Sequence, residues 1–372
     1  MRHEDYRPVK LKEYEDDWVI FPVDGYGNEQ MLRQIMDHEK PDAIWFITDP
    51  RFYYWLFNMA DEIRDRGIPL LYYHVWDNTP VPAYNKQWYA ACDFIGCISK
   101  LTHNITETLG FKENSAYIPH AVDPNIFKQI SKEEIANARS QILKDHADKF
   151  IVFYNSRNAR RKMTADVLKM FKGLLDKVGQ DKAFLFMHTD PFDQEGANLI
   201  EVAKMLDIQP NQISFSNQRI PPEQMSIYYN MADVTVNISN NEGFGLSCLE
   251  SLSCGTPVIV VKTGGLQDQA QDDEGNVFGV MLEPVTRSIQ GSQQIPYLYD
   301  DRASDVDLVN ALLKMYNMSD DERISLGAKA REWTLKRFSM QNLVGDWDLA
   351  LEKYISKYKS NGNPSRVKIS KV

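Results

Sequence analysis

Residues 241–265 read NEGFGLSCLESLSCGTPVIVVKTGG, and this stretch decides the fold. Between Glu242 and Glu250, the residues Gly243, Phe244 and Gly245 form a tight turn, and Leu246 opens an apolar helical pattern. Pro257 leads a β-branched run over 258–261, which Gly264-Gly265 ends. With the apolar run at 234–238 before it, the pattern is strand, glycine turn, helix, strand, glycine turn. It gathers two sets of backbone N–H groups at one edge of a parallel sheet, a place that binds phosphate. Ionised carboxylates only accept hydrogen bonds, so the two glutamates suit sugar or ribose hydroxyls.

The same rhythm runs outward in both directions. Strands are predicted at 150–154, 184–188, 213–215, 234–238, 258–261 and 277–282. Helices are predicted at 164–177, 197–206, 223–230 and 246–253, with Thr164 well placed as a cap. Nearer the N-terminus, strands are expected at 18–22, 43–47 (a buried one), 69–75, 94–98 and 116–118. Helices at 28–39, 52–64, 85–91 and 101–109 lie between them. Repeated βα units predict an α/β fold of two Rossmann-like parallel-sheet domains facing across a cleft.

The polar, weakly periodic run at 123–149 marks the junction. The expected division is an N-terminal Rossmann-like domain over 1–125, a linker over 126–148 and a C-terminal Rossmann-like domain over 149–338. A helix over 339–360 is expected to pack back on the first domain, and the basic tail 361–372 to be disordered. The Gln-, Ser- and Pro-containing segment 283–301 reads as a long loop.

Bulk properties narrow the function. A chain of 372 residues suits two domains, and its net charge of −10 argues against a general nucleic-acid binder. No apolar run approaches the ~20 residues of a membrane span. The N-terminal residues show no apolar signal region, which predicts a cytoplasmic protein, free or at a membrane surface. Cys92, Cys97, Cys248 and Cys254 lie in apolar elements and read as reduced core thiols.

The strand at 150–154 runs into NSRNARRK at 155–162. Its cations therefore follow a strand end and precede a helix. Arg157 offers a fork to an anion and Lys162 a point charge. A departing diphosphate needs such neutralisation.

Four segments, EGFGLSCLESLSCGTPVI, RIPPEQMSIYYNMADVTVNIS, the cations R…RRK and IPHAVDPNIF, closely resemble the family-4 retaining glycosyltransferases of the GT-B fold. The resemblance is densest over 116–265. It implies transfer of a sugar from a nucleotide-sugar, such as a UDP- or GDP-sugar, with retention of configuration, no metal and no other cofactor. By resemblance, Arg157 and Lys162 grip the donor diphosphate. Glu242 lies against the donor sugar, Glu250 takes the ribose hydroxyls, and Gly243, Phe244, Gly245 and Leu246 line the donor site.

His74 ends the run LLYYH, where the family often keeps a histidine near sugar and acceptor. It stands with Glu242 as a catalytic candidate, with a satisfied structural histidine as the rival reading. Asp77 either orients it or caps the next segment. His120 reads as a hinge residue and His188 as structural. Trp76 and Tyr84 are candidates to stack on an acceptor. Retaining chemistry needs no strong protein base; in one mechanism favoured for the family this chain resembles, a donor phosphate oxygen takes the acceptor proton.

The chain departs from the family at its start. Its first clear strand begins at Trp18, and Gly25 and Gly27 do not match the family's early glycine loop. The first βα unit is therefore expected to be missing or reduced. The domain manages with a smaller sheet, a partner chain supplies the piece, or the protein binds donor without turnover. The alternative function is a non-catalytic subunit that binds a nucleotide-sugar or glycan. A nucleotide-sugar epimerase is a third, against which the GFG turn weighs. The acceptor, whether glycan, lipid or another hydroxyl compound, is not readable.

Overall fold

Asn28 starts the first long helix by accepting the Met31 amide at 3.0 Å, and Lys40 closes it in a left-handed conformation. The computed structural model describes residues 9–10 and 19–361. Trp18, expected to open a strand, and the tail from 362 onward lie outside the described residues. The chain divides into two compact units: Met1–His74, Tyr84–Ile95 and Ala350–Val372 form one, Val75–Ala83 and Gly96–Leu349 the other.

In the first unit, β1 (Val9–Lys10) pairs antiparallel with β2 (Val19–Ile20), and α1 (Glu29–Glu39) follows. Then come β3 (Ile44–Ile47), α2 (Tyr54–Asn58), α3 (Ala60–Asp65), β4 (Leu70–His74), α4 (Lys86–Ala90) and the start of β5 (Phe94–Cys97). The helix expected over 52–64 is broken, because the Met59 amide turns back to Leu56 O, three residues earlier. Strands β3 and β4 run parallel, Ile44 opposite Leu70. All of β4 is buried. The strand expected to be buried at 43–47 is not: Trp45 is 44% and Ile47 36% exposed. The reason is position, since β3 ends its sheet among the described residues. Its inward Phe46 still stacks on Tyr72, with centroids 4.8 Å apart. At the other end of the chain, Tyr358 donates to Asp93 Oδ1 at 2.7 Å, while Asp93 Oδ2 accepts the Leu70 amide.

The second unit continues through α5 (Lys100–Thr108), β6 (Ser115–Tyr117), α6 (Lys132–Ile142), β7 (Phe150–Asn155), α7 (Thr164–Val178) and β8 (Ala183–His188). Next are α8 (Leu199–Met205), β9 (Ile213–Ser216), α9 (Pro222–Met231), β10 (Val234–Asn237), α10 (Leu246–Ser253) and β11 (Val258–Val261). Then follow α11 (Leu266–Gln269), β12 (Gly279–Leu282), β13 (Thr286–Gln290) and β14 (Leu298–Arg302). Helices α12 (Asp305–Asn317), α13 (Asp320–Arg337) and α14 (Met340–Asn361) close the described chain.

Six strands form one sheet in the order β12-β11-β10-β7-β8-β9, every pairing parallel. The order reverses between β7 and β10. That switch point opens a crevice beyond the strand ends, which is where doubly wound sheets bind ligands. The sheet strands are nearly all apolar. Val152 and Tyr154 of β7 pack with Val167, Phe171 and Leu174 of α7 in one core.

Three local expectations need correction. The run at 123–149 carries α6, started by a reciprocal Ser131–Glu134 capping box; none of its residues is buried, so it lacks an apolar stripe to read. Thr164 is not the cap of α7. Met163 holds that place at φ 54°, and the Thr164 hydroxyl bonds the Tyr154 hydroxyl at 2.8 Å instead. The loop expected over 283–301 contains an antiparallel hairpin, β13 with β14, Thr286 opposite Arg302. Strand β13 is exposed throughout, so no burial alternation marks it in the sequence. The four cysteines are free and buried. Burial pushes the Cys97 and Cys254 thiols up to about 12 and raises Cys248 as well.

Candidate donor site

The switch point sets two loops side by side. The loop after β7 delivers Arg161 and Lys162 on a short 3-10 turn, Arg160–Lys162. The loop after β10 delivers Glu242. Lys162 Nζ makes an ion pair with Glu242 Oε2, and Arg161 Nη1 stands 3.9 Å from the same oxygen. Arg161 also donates to Asn241 O at 2.8 Å, which ties its loop to that of Glu242. Glu242 is 7% exposed. Burial alone opposes its charge, yet Lys162 and then Arg161 outweigh burial and hold its carboxyl below the usual range.

Glycines allow the turn behind Glu242. Gly245 caps α10 at φ 94° and lies against Leu266. Gly264 sits at φ 48°, and a side chain there would run into the Glu242 carbonyl. That carbonyl accepts the Gly265 amide at 3.0 Å, and Gln269 Nε2 donates to Phe244 O at 2.5 Å. The two glycine turns thus interlock. The first amides of α10, starting at Leu246, have no intrahelical acceptor and point to a ready anion site.

Glu250 lies one turn inside α10. Tyr229 donates to its Oε2 at 2.7 Å, and Asn155 Nδ2 donates to the same tyrosine oxygen at 2.7 Å. Burial raises the Glu250 carboxyl to about 7, against the lowering effect of the Tyr229 bond. The His120 ring meets Phe244 edge-on at 5.2 Å, and burial lowers it to about 4, so it is neutral at neutral pH.

A cavity of ≈ 430 Å³ collects these groups. Of the residues expected in a donor site, Lys162, Glu242, Gly243, Phe244, Gly245, Leu246 and Glu250 line it. Arg157 does not: it is held in a fork by Asp193, at 2.7 and 3.1 Å. Its expected place among the lining cations is taken by Arg161. The sequence signal for Arg161 was its position beside Lys162 in the RRK run. His74 is not among the lining residues either. It ends the buried strand β4, is 0% exposed, and hydrogen-bonds Tyr89 at 2.9 Å. Burial takes its ring down to about 3, so it is a neutral core histidine. Asp77 lines the cavity, 3.9 Å from Arg161. Sequence reasoning missed Asn155 and Tyr229, which act on Glu250 from the ends of β7 and α9. His188 bonds Ser216 at 3.0 Å, and Trp76 is buried at 5% exposure. Among the described residues, no group of three His, Cys, Asp or Glu side chains is placed to hold a metal, and no helix is long and apolar enough to cross a membrane.

The fold is shared with solved structures. A crystal structure of Anabaena Alr3699/HepE in complex with UDP and glucose superimposes with a TM-score of 0.67 at 16% identity, over 86% of this chain and 80% of that one. A glycosyltransferase from Rickettsia africae gives a TM-score of 0.66 at 15% identity, over 90% of this chain and 81% of that one. The class is therefore GT-B, an α/β fold with parallel Rossmann-like sheets. Residues 134–315 match the family described as Glycosyl transferases group 1. Over that segment, just under half of its length, this chain is similar to that family.

Curated relatives match over shorter stretches. The D-inositol 3-phosphate glycosyltransferase of Streptosporangium roseum is 46% identical over 63 residues, 17% of this chain and 14% of that protein. The alpha-monoglucosyldiacylglycerol synthase of Streptococcus pneumoniae is 30% identical over 170 residues, 45% of this chain and 37% of that protein. The chain thus spans well under half the length of these curated relatives.

Proposed function

We propose that this protein is a retaining glycosyltransferase that moves a sugar from a nucleotide-sugar to an acceptor hydroxyl. The observation that carries the reading is the Arg161–Lys162–Glu242 cluster set against two interlocked glycine turns at a sheet switch point. The donor diphosphate lies against Lys162, Arg161 and the first amides of α10. These groups stabilise the charge that grows on the leaving phosphate. Glu250 accepts from the ribose hydroxyls with the oxygen that Tyr229 leaves free. Glu242, kept ionised by its cations, accepts from sugar hydroxyls and stabilises positive charge at the anomeric carbon. The bond from that carbon to phosphate breaks and the bond to the acceptor oxygen forms on the same face. The acceptor proton passes to the leaving phosphate oxygen, and a nucleoside diphosphate departs. The UDP and glucose bound by Anabaena HepE favour a uridine donor.

The test is nucleotide release from a panel of UDP- and GDP-sugars, with water or added hydroxyl compounds as acceptor. Release by the wild type, lost in Glu242→Gln and kept in the surface variant Lys204→Gln, is the expected result. Tight donor binding with no turnover under any condition would instead establish a binding subunit and refute the transferase.

A further inference from the structure

The hairpin β13–β14 is exposed to solvent along its outer strand, with Ile289 72% accessible, yet it carries a carboxylate that is nearly sealed off: Asp301 is 6% exposed. Burying a carboxylate costs several kcal/mol unless it is paired and hydrogen-bonded. The Asp301 carboxylate meets that condition through two groups on different segments, and the Asp301 amide reaches a third. Arg287, opposite it on β13, donates from Nε to Oδ1 at 2.5 Å. Thr263 Oγ1 donates to Oδ2 at 3.2 Å and also lies 3.3 Å from Asn240 O. The Asp301 amide reaches the same Asn240 carbonyl at 3.3 Å. Next to it, Asp300 Oδ1 accepts from Asn241 Nδ2 at 2.7 Å.

The partners matter because of where they stand. Thr263 immediately precedes Gly264-Gly265, the turn whose amide holds the Glu242 carbonyl. Asn240 and Asn241 immediately precede Glu242. Asn240 N–H also donates to Arg161 O at 2.8 Å, and Asn241 O accepts from the Arg161 guanidinium. Asp301 therefore touches the root of each glycine turn, with its carboxylate at Thr263 and its amide at Asn240, one bond from the cation loop. The hairpin has a second mooring, since the Tyr299 amide donates to Thr79 O at 2.7 Å.

We infer that Asp301 is a positioning residue of the donor site: through Thr263 and Asn240 it holds the two glycine turns at the spacing a nucleoside diphosphate requires. The inference rests on the donor-site reading above. It deepens that reading by giving the hairpin a task, although the hairpin places no side chain in the cavity. A carboxylate suits the task, because it accepts from Arg287 and Thr263 at once and donates nothing that would compete.

The experiment is calorimetric titration of the full chain with UDP, GDP and ADP in turn, on wild type, Asp301→Ala, Thr263→Val, Thr263→Ser and the double variant Asp301→Ala/Thr263→Val. With the nucleotide that the wild type binds, Asp301→Ala and Thr263→Val each weaken binding by about tenfold or more, as expected for lost hydrogen bonds to a charge. Thr263→Ser, which keeps the hydroxyl, stays within about threefold. The double variant is no weaker than the weaker single, because both remove one linkage. Hydrogen exchange of the amides at 240–246 and 263–266 quickens in Asp301→Ala without nucleotide. If Asp301→Ala does not fold, Asp301→Asn and the Thr263 pair decide. Wild-type binding retained in Asp301→Ala, or Thr263→Ser failing as badly as Thr263→Val, overturns this inference and leaves the donor site standing. A wild type that binds none of the three nucleotides overturns the donor-site reading and this inference with it.

Discussion

Replacing Lys162 by methionine keeps the volume of the side chain and removes its charge, which leaves Glu242 with its ion partner gone. Lys162 and Glu242 side chains are only 13% and 9% exposed. Breaking a buried pair from one side costs about 3–5 kcal/mol. The lower end applies here, because Arg161 remains 3.9 Å away and Ser239 Oγ 3.4 Å away. For a domain of this size about 3 kcal/mol lowers the melting temperature by roughly 6–12 °C.

The pH dependence supplies the sharper test. In the wild type the Glu242 carboxyl is depressed, so its contribution is full above the ordinary carboxylate range and fades as pH falls through the lower folded value. In Lys162→Met, burial acts with much less opposition and raises the folded value. Stability then falls as pH rises, at up to about 1.4 kcal/mol per pH unit while the one proton is lost. The gap between variant and wild type should therefore be wide near pH 7 and narrow on acidification. Glu250 titrates in both proteins and cancels in the difference. Thermal or urea unfolding of the two proteins across about pH 5 to 8 measures the gap. A gap that is absent at pH 7, or constant with pH, refutes the electrostatic account. Adding Glu242→Gln to Lys162→Met should return most of the lost stability.

Glu250, raised to about 7, favours the protonated folded state, so its stabilising effect is present in acid and lost as pH rises through that value. Nucleotide binding asks for the ionised form; calorimetry should show affinity rising across pH 7 in the wild type and flat in Glu250→Gln. Gly264→Ala should destabilise by about 1–3 kcal/mol or more, since φ 48° and the Glu242 carbonyl both oppose a side chain, and an unchanged urea midpoint would contradict the geometry. Arg161→Ala should raise the donor KM by about tenfold or more, and Arg157→Ala by no more than about threefold. The reverse order would mean that Arg157 leaves Asp193 when donor binds.

The sequence made the second unit legible because its strands are fully buried and its turns are glycine-marked. Val258–Val261 and Gly264-Gly265 leave little choice of fold, and the GFG turn between two glutamates points to one edge of one sheet. What escaped notice has a common cause. Helix α6 buries no residue, and β13 is exposed throughout, so neither prints a hydrophobic period. Residues 43–47 read as a buried strand because their composition is apolar, but composition does not reveal that a strand lies at a sheet's end. In the site, Glu242, Glu250 and Lys162 were legible from spacing. The choice between Arg157 and Arg161 was not, because it turns on Asp193, a residue 36 positions from Arg157. Nor does sequence spacing tell a buried His74 from an exposed one.

The four sealed cysteines make this protein convenient to label. Thiolate is the species that alkylating dyes attack, and at neutral pH Cys97, Cys248 and Cys254 supply almost none of it, while Cys92 is covered at 6% exposure. A single cysteine introduced at Ile289, on the outer hairpin strand, would therefore take up a fluorophore against a silent native background. No residue would have to be removed first.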